Sequence, residues 1–104
     1  MTEHEHILSM LGLAARGRNL TSGEDQVLEA VRNGKGNLVI VAGDASENTQ
    51  KKFRDKCTYY DVPYRLFSAK EELGHAIGRQ SRTNVCVLDA GLAKKILGLI
   101  DKEE

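Results

Sequence analysis

Two short polar segments hold the residue types best suited to gripping a charged or hydrogen-bonding ligand. The first, Arg79-Gln80-Ser81-Arg82-Thr83-Asn84, is polar at every position and separates two apolar stretches. Arginine presents a planar fork of donors that matches phosphate and guanine edges, and its neighbours here are short hydrogen-bonders, so the segment is equipped to clamp phosphates and base edges. A merely solvated loop accounts for it equally well. The second segment is Gly23-Glu24-Asp25-Gln26, at the start of a helical pattern. A helix N-terminus offers free N–H groups to a phosphate, and an amide or carboxylate side chain accepts from the donor edge of guanine. Acids in a first helical turn are also what the helix dipole favours for stability alone.

The inventory argues against catalysis. The chain has no GxGxxG, no GxxxxGK[ST] and no HExxH, the spacings that build dinucleotide, phosphate and zinc sites. His4 and His6 stand in an EHEH run that reads as a frayed acidic terminus, with nothing downstream to complete a metal-ligand set. His75 follows Gly74 in a helical stretch and reads as a surface or half-buried histidine. Asp44 and Asp89 are placed as helix caps rather than as a catalytic pair. No catalytic residue, metal or cofactor is expected. Cys57 and Cys86 belong to no CxxC pair and read as reduced structural thiols of a cytoplasmic protein. No apolar run approaches the ~20 residues that cross a bilayer, and the polar MTEHEH start shows no secretory leader, so no membrane partner is expected.

Charge refines the ligand class. The 104 residues balance to zero, but Glu3, Glu5, Asp101, Glu103 and Glu104 lie on the tails, leaving 14 basic against 10 acidic residues over 6–100. A modest positive field suits local phosphate contacts rather than non-specific coating of nucleic acid. With three Tyr, two Phe and no Trp, base stacking cannot be the main source of affinity.

The elements that must position these segments alternate regularly. Residues 5–16 place Ile7, Leu8, Leu11, Ala14 and Ala15 at helical spacing. A very short strand fits Leu20 and Thr21, and Ser22 with Asp25 reads as a capping box for a helix over 23–33. Leu38-Val39-Ile40-Val41-Ala42 is a strand apolar on both faces. Asp44 or Ser46 caps a helix over 46–60, whose outer face carries Lys51, Lys52, Arg54 and Lys56. A strand over 62–67 follows, then a capping box at 68–71 for a helix to residue 77. Gly74 reads as a packing glycine and Gly78 as a helix C-cap. A strand over 85–88 and a last helix capped by Asp89, with Leu92, Ile96, Leu97 and Ile100 as its apolar stripe, complete the chain. Helix and strand in strict alternation over one domain of 104 residues predict an α/β protein, a three-layer α/β/α sandwich. Val39, Val41, Leu66, Val85 and Val87 should be buried.

Three stretches carry a resemblance. Ser22-Gly23-Glu24-Asp25-Gln26-Val27-Leu28-Glu29-Ala30-Val31, the strand 38–42 followed by Asp44, and Lys70-Glu71-Glu72-Leu73-Gly74-His75-Ala76-Ile77-Gly78 resemble the L-seven-Ae ribosomal-protein family of kink-turn RNA binders. The opening Leu11-Gly12-Leu13-Ala14-Ala15-Arg16 is similar to its bacterial YlxQ-type branch. The resemblance covers nearly the whole chain. It implies a mixed, roughly four-stranded central sheet, and docking of the second helix's N-terminus and the loop after Gly78 onto sheared G·A pairs of a kinked RNA. The family's Gly-x-Asn-Glu-x-x-Lys falls on Gly23 to Glu29. Gly23 matches, Gln26 keeps an acceptor for guanine, Asp25 loses the amide donors, and Glu29 reverses a lysine's charge. Arg79, Gln80, Ser81 and Arg82 stand where high-affinity members place apolar residues.

The expectation is a monomeric, non-enzymatic RNA-binding protein, ribosome-associated, with structured RNA such as ribosomal RNA as partner. Its site would gather Gly23, Glu24, Asp25, Gln26 and Glu29 with Asp44 and residues 79–82 on one edge, joined by Arg16 or Arg18. The alternative is a protein-interaction adaptor that kept the fold and lost tight RNA binding, which Glu29 and the near-neutral charge favour.

Overall fold

Thr2 decides where the chain becomes helical. Its hydroxyl accepts from the Glu5 N–H at 3.0 Å while the Glu5 carboxylate accepts from the Thr2 N–H at 3.1 Å, a reciprocal cap that satisfies two donors otherwise orphaned at a helix end. In the computed structural model, which describes residues 1–103, helix α1 therefore spans Glu3–Arg16. His4 and His6 are helical, not frayed as expected. The His4 ring packs on Phe67 with centroids 4.5 Å apart, which ties the first turn to the body of the molecule. Of the acidic tail, Glu104 lies outside the described residues.

The remaining elements are β1 (Leu20–Ser22), α2 (Glu24–Arg32), β2 (Leu38–Val41), α3 (Glu47–Tyr60), β3 (Tyr64–Leu66), α4 (Lys70–Ala76), β4 (Asn84–Val87) and α5 (Ala90–Glu103). The sheet runs β1-β4-β2-β3, antiparallel at β1–β4 and β4–β2 and parallel at β2–β3. It is the mixed four-stranded sheet that the resemblance implied. Every residue of β2 is buried because both faces are covered. Leu38 and Ile40 join Val85 and Val87 in a core with α1, α4 and α5, while Val39, Val41 and Cys86 face Val27, Ala30 and Val31 of α2 and Phe53 and Cys57 of α3. The period of two along a strand thus feeds two separate apolar layers.

Several local expectations are corrected by tertiary partners. Ser22 ends β1 instead of capping α2, and the N-cap is Gly23, with no side-chain bond. The expected box at 68–71 does not form either. The N-cap of α4 is Ala69, and its first turn is closed by Asp44, whose Oδ1 accepts from the Lys70 N–H at 2.9 Å. Ser68 instead donates to Glu72 at 2.7 Å. Ser46, not Asp44, caps α3 by accepting from the Thr49 N–H at 3.1 Å, while Asp89 caps α5 as expected through Leu92 at 2.8 Å. Leu66 is 45 % exposed rather than buried. It lies on an edge strand whose covering helix reaches Tyr64, where the phenol donates to the Gln50 carbonyl at 3.3 Å, and leaves the strand's end open.

Candidate nucleic-acid interface

The antiparallel pairing of β4 with both its neighbours brings the two polar segments together. Ser22 lies opposite Val85 and Val41 opposite Asn84. The carboxyl ends of β1 and β2 therefore share one edge with the amino end of β4, and residues 23–26, 42–44 and 81–84 emerge side by side. Backbone bonds stitch them: Gly23 N–H to the Asn84 carbonyl (3.4 Å), Ala42 N–H to Thr83 (2.8 Å) and Arg82 N–H to Lys70 (2.9 Å). A recess of about 520 Å³ opens between them, walled by Ser22, Gly23, Glu24, Asp25 and Gln26 on one side and Ser81, Arg82, Thr83 and Asn84 on the other.

Gly23 shapes the first wall. Its φ of 95° is a conformation that L side chains rarely adopt, although a Cβ there would touch nothing. Glycine is demanded by the backbone and not by space. The turn delivers α2 into the recess with no side-chain cap bonded to its end, so the first-turn N–H groups remain available to an anion.

Arg82 shapes the second. Its Nε donates to Ser22 Oγ at 3.1 Å and its Nη1 to the Ser81 carbonyl at 2.7 Å, while Nη2 has no partner among the described residues. Two anchors hold the guanidinium in place and one edge of the fork stays open. The loop that presents it is held just as tightly. Gly78, at φ 80°, follows the Ile77 cap of α4, and Arg79 N–H turns back to the Gly74 carbonyl at 2.7 Å. Gly74 has no room for a side chain, because a Cβ would meet Ser81 Cα at 2.5 Å. Gly74 is a packing glycine as expected, but against the loop at Gln80 and Ser81 rather than the sheet, and the C-cap is Ile77, with Gly78 the left-handed residue just after it.

The other expected site residues divide. Arg16 lines a broader groove of about 990 Å³ between α1 and α4, whose lining also includes Gln80 and Ser81, so it stands on the flank of the recess. Arg79 is exposed and lines neither hollow. Arg18 is not brought in. It precedes β1 at the opposite end of the sheet, where Leu88 N–H bonds the Asn19 carbonyl, roughly 13 Å of strand from Ser22 at ~3.3 Å per residue. Asp44 lies at the right end, but its carboxylate is engaged by α4. Glu29 is exposed one turn beyond Asp25, on the outer face of α2 and outside the recess.

One residue was missed, Lys52, and another, Asn84, was read only as the end of the polar segment 79–84. Lys52 reaches across from α3 to pair with Glu24 at 3.0 Å, placing a cation beside the start of α2. Only its membership of a basic helix face was legible. Asn84 is a wall of the recess and a buried polar residue at 3 % exposure. A polar residue opening an otherwise apolar strand was the available signal.

Comparison with known proteins agrees with this architecture. Residues 5–97 match the model of the ribosomal protein L7Ae/L30e/S12e/Gadd45 family. The RNA-binding protein YlxQ of Bacillus subtilis is 47 % identical over 92 residues, covering 88 % of this chain and 92 % of that protein. A Bacillus halodurans protein of unknown function superposes with a TM-score of 0.89 at 47 % identity, over 91 % of this chain and 96 % of that one. The Giardia lamblia 15.5kD RNA binding protein shares the fold at a TM-score of 0.80 and 22 % identity, over 98 % and 91 % of the two chains. A match over nearly all of the sequence, with a relative this similar over almost its full length, makes the chain a member of the ribosomal protein L7Ae/L30e/S12e/Gadd45 family.

Proposed function

We propose that this chain is a single, monomeric, non-enzymatic RNA-binding domain that recognises kink-turn-like structured RNA in the cytoplasm, as a ribosome-associated factor. The observation that carries the reading is the pairing, in one recess, of an uncapped helix start at Gly23 with a guanidinium pre-positioned by Ser22. Both offer donors held in place before the ligand arrives, which suits phosphate oxygens and guanine acceptors. Gln26 adds an exposed amide for a base edge. The family's description and the name of the Bacillus subtilis relative support RNA as the ligand class. A rigid recess that fits only the bent form acts by differential affinity, drawing an RNA that samples both forms toward the kinked one.

The test is titration of the purified protein against a kink-turn duplex and an unkinked duplex of the same length, each at two salt concentrations. Tighter binding of the kinked duplex at both salts is the expected result. Equal binding of both refutes the reading and favours the interaction adaptor, for which the outward-facing Glu29 is the supporting observation.

A further inference from the structure

Among the described residues, one buried side-chain polar atom has no hydrogen-bond partner: Asn84 Oδ1. Asn84 opens β4 directly opposite Val41. Val39, Val41 and Cys86 on the same face of the sheet are all buried against α2 and α3, so the pattern there asks for an apolar side chain. The asparagine instead holds a carbonyl out of water. Its Nδ2 donates to the Thr83 hydroxyl at 2.9 Å, and the oxygen is the orphaned end. A desolvated acceptor without a donor is destabilising where an apolar group of similar size is not, so its presence asks for an explanation. Asn84 is also part of the wall of the recess between residues 22–26 and 81–84.

We infer that Asn84 Oδ1 accepts a hydrogen bond from the RNA and is the group in this recess that selects an N–H or O–H donor over a phosphate. The inference rests on the RNA-binding reading above. Arg82 and the first-turn N–H groups of α2 are donors, so they serve phosphates and base acceptors alike. A carbonyl does the reverse. A phosphodiester carries no proton at neutral pH, so Oδ1 repels it and takes only a donor, an amino or ring imino N–H of a base or a ribose 2′-hydroxyl. The oxygen is closed off in the free protein, so the donor reaches it only once the recess wall yields to the bound RNA. Gln26, the other amide in the recess, is exposed and free to present either end. The amide of Asn84 is buried, with its nitrogen on Thr83.

A double-mutant cycle between protein and RNA tests this. Asn84→Val removes the acceptor and keeps a side chain that favours strands. The probe is a kink-turn duplex, unmodified or with one donor-deleting replacement at each nucleotide of its internal loop: inosine for guanosine, purine for adenosine, zebularine for cytidine, an N-methylated imino position or a 2′-deoxy sugar. We expect one replacement to weaken wild-type binding by about tenfold, the loss of one buried hydrogen bond, and to cost Asn84→Val nothing further. Which replacement does so names the donor. Asn84→Val should melt no lower than wild type. A wild-type protein that tolerates every replacement overturns the inference without needing any variant to fold. So does a replacement that weakens protein and variant by the same factor. A marked fall in the variant's melting temperature assigns the amide a structural role and overturns it as well. If wild type binds kinked and unkinked duplexes alike, the RNA reading falls first and the inference with it.

Discussion

Gly74→Ala should drive a methyl group into the backbone of the loop that presents Arg82. An ideal Cβ at this position lies 2.5 Å from Ser81 Cα, 2.7 Å from Ser81 N and 2.8 Å from the Gln80 carbonyl carbon. All three are backbone atoms, so no side chain can swing aside. Reaching ordinary contact requires a shift of about 1 Å, and overpacking of this kind costs about 1–3 kcal/mol. Alanine's better helix propensity returns up to about 1 kcal/mol. The net loss of roughly 1–2 kcal/mol lowers the melting temperature by about 5–15 °C for a domain of this size. Gly98→Ala is the matched control, since it lies in α5 with nothing within 4 Å of an added Cβ. There only the propensity gain of roughly 0.5–1 kcal/mol remains, and the melting temperature should rise by a few degrees. Calorimetry or circular dichroism on the two variants reads the difference. Binding to a kinked duplex should weaken in Gly74→Ala, because the loop has moved, and stay unchanged in Gly98→Ala. A Gly74→Ala protein that melts at or above the wild-type temperature refutes the reasoning, since the loop would then not be seated on α4 as described.

Two further tests address the ligand and the buried thiols. Arg82→Ala should weaken binding to kinked RNA and flatten its salt dependence by up to about one unit of log–log slope, whereas Glu29→Lys, outside the recess, should change the slope by less than Arg82→Ala does. An unchanged slope in Arg82→Ala would remove its phosphate contact from the account. Burial pushes the Cys57 thiol up to about 12 and the Cys86 thiol up to about 11, so neither should react with Ellman's reagent at pH 8 until the protein unfolds. Because these folded values exceed the unfolded value of ~8.5, the stability they contribute is complete below about pH 8.5 and is lost as pH rises through 11 and 12. Rapid labelling of either thiol in the native state would contradict the burial.

Which elements form, and in what order, was legible from the chain alone because both signals are local. Val39 and Val41 alternate with Leu38 and Ile40, and a strand apolar on both faces must be covered on both. The asparagines and glycines of 33–37 stop a helix wherever they occur. Capping was less legible. Ser22 and Ser68 had the right type and spacing, yet Ser22 went to Arg82 and the start of α4 went to Asp44, 26 residues away. A cap needs one acceptor, and the tertiary structure supplied a competing use for the first serine and a competing acceptor for the second. The site divides the same way. The residue types at 23–26 and 79–82 announced donors for phosphates and edges, but a helical period says nothing about which strand ends meet. The antiparallel pairing of β4 with β1 and β2 joined those segments, left Arg18 at the far end, carried Lys52 to Glu24, and put Asn84 at the recess wall with its oxygen unpaired. Strand register is a property of two segments distant in sequence, so only the folded chain could decide it.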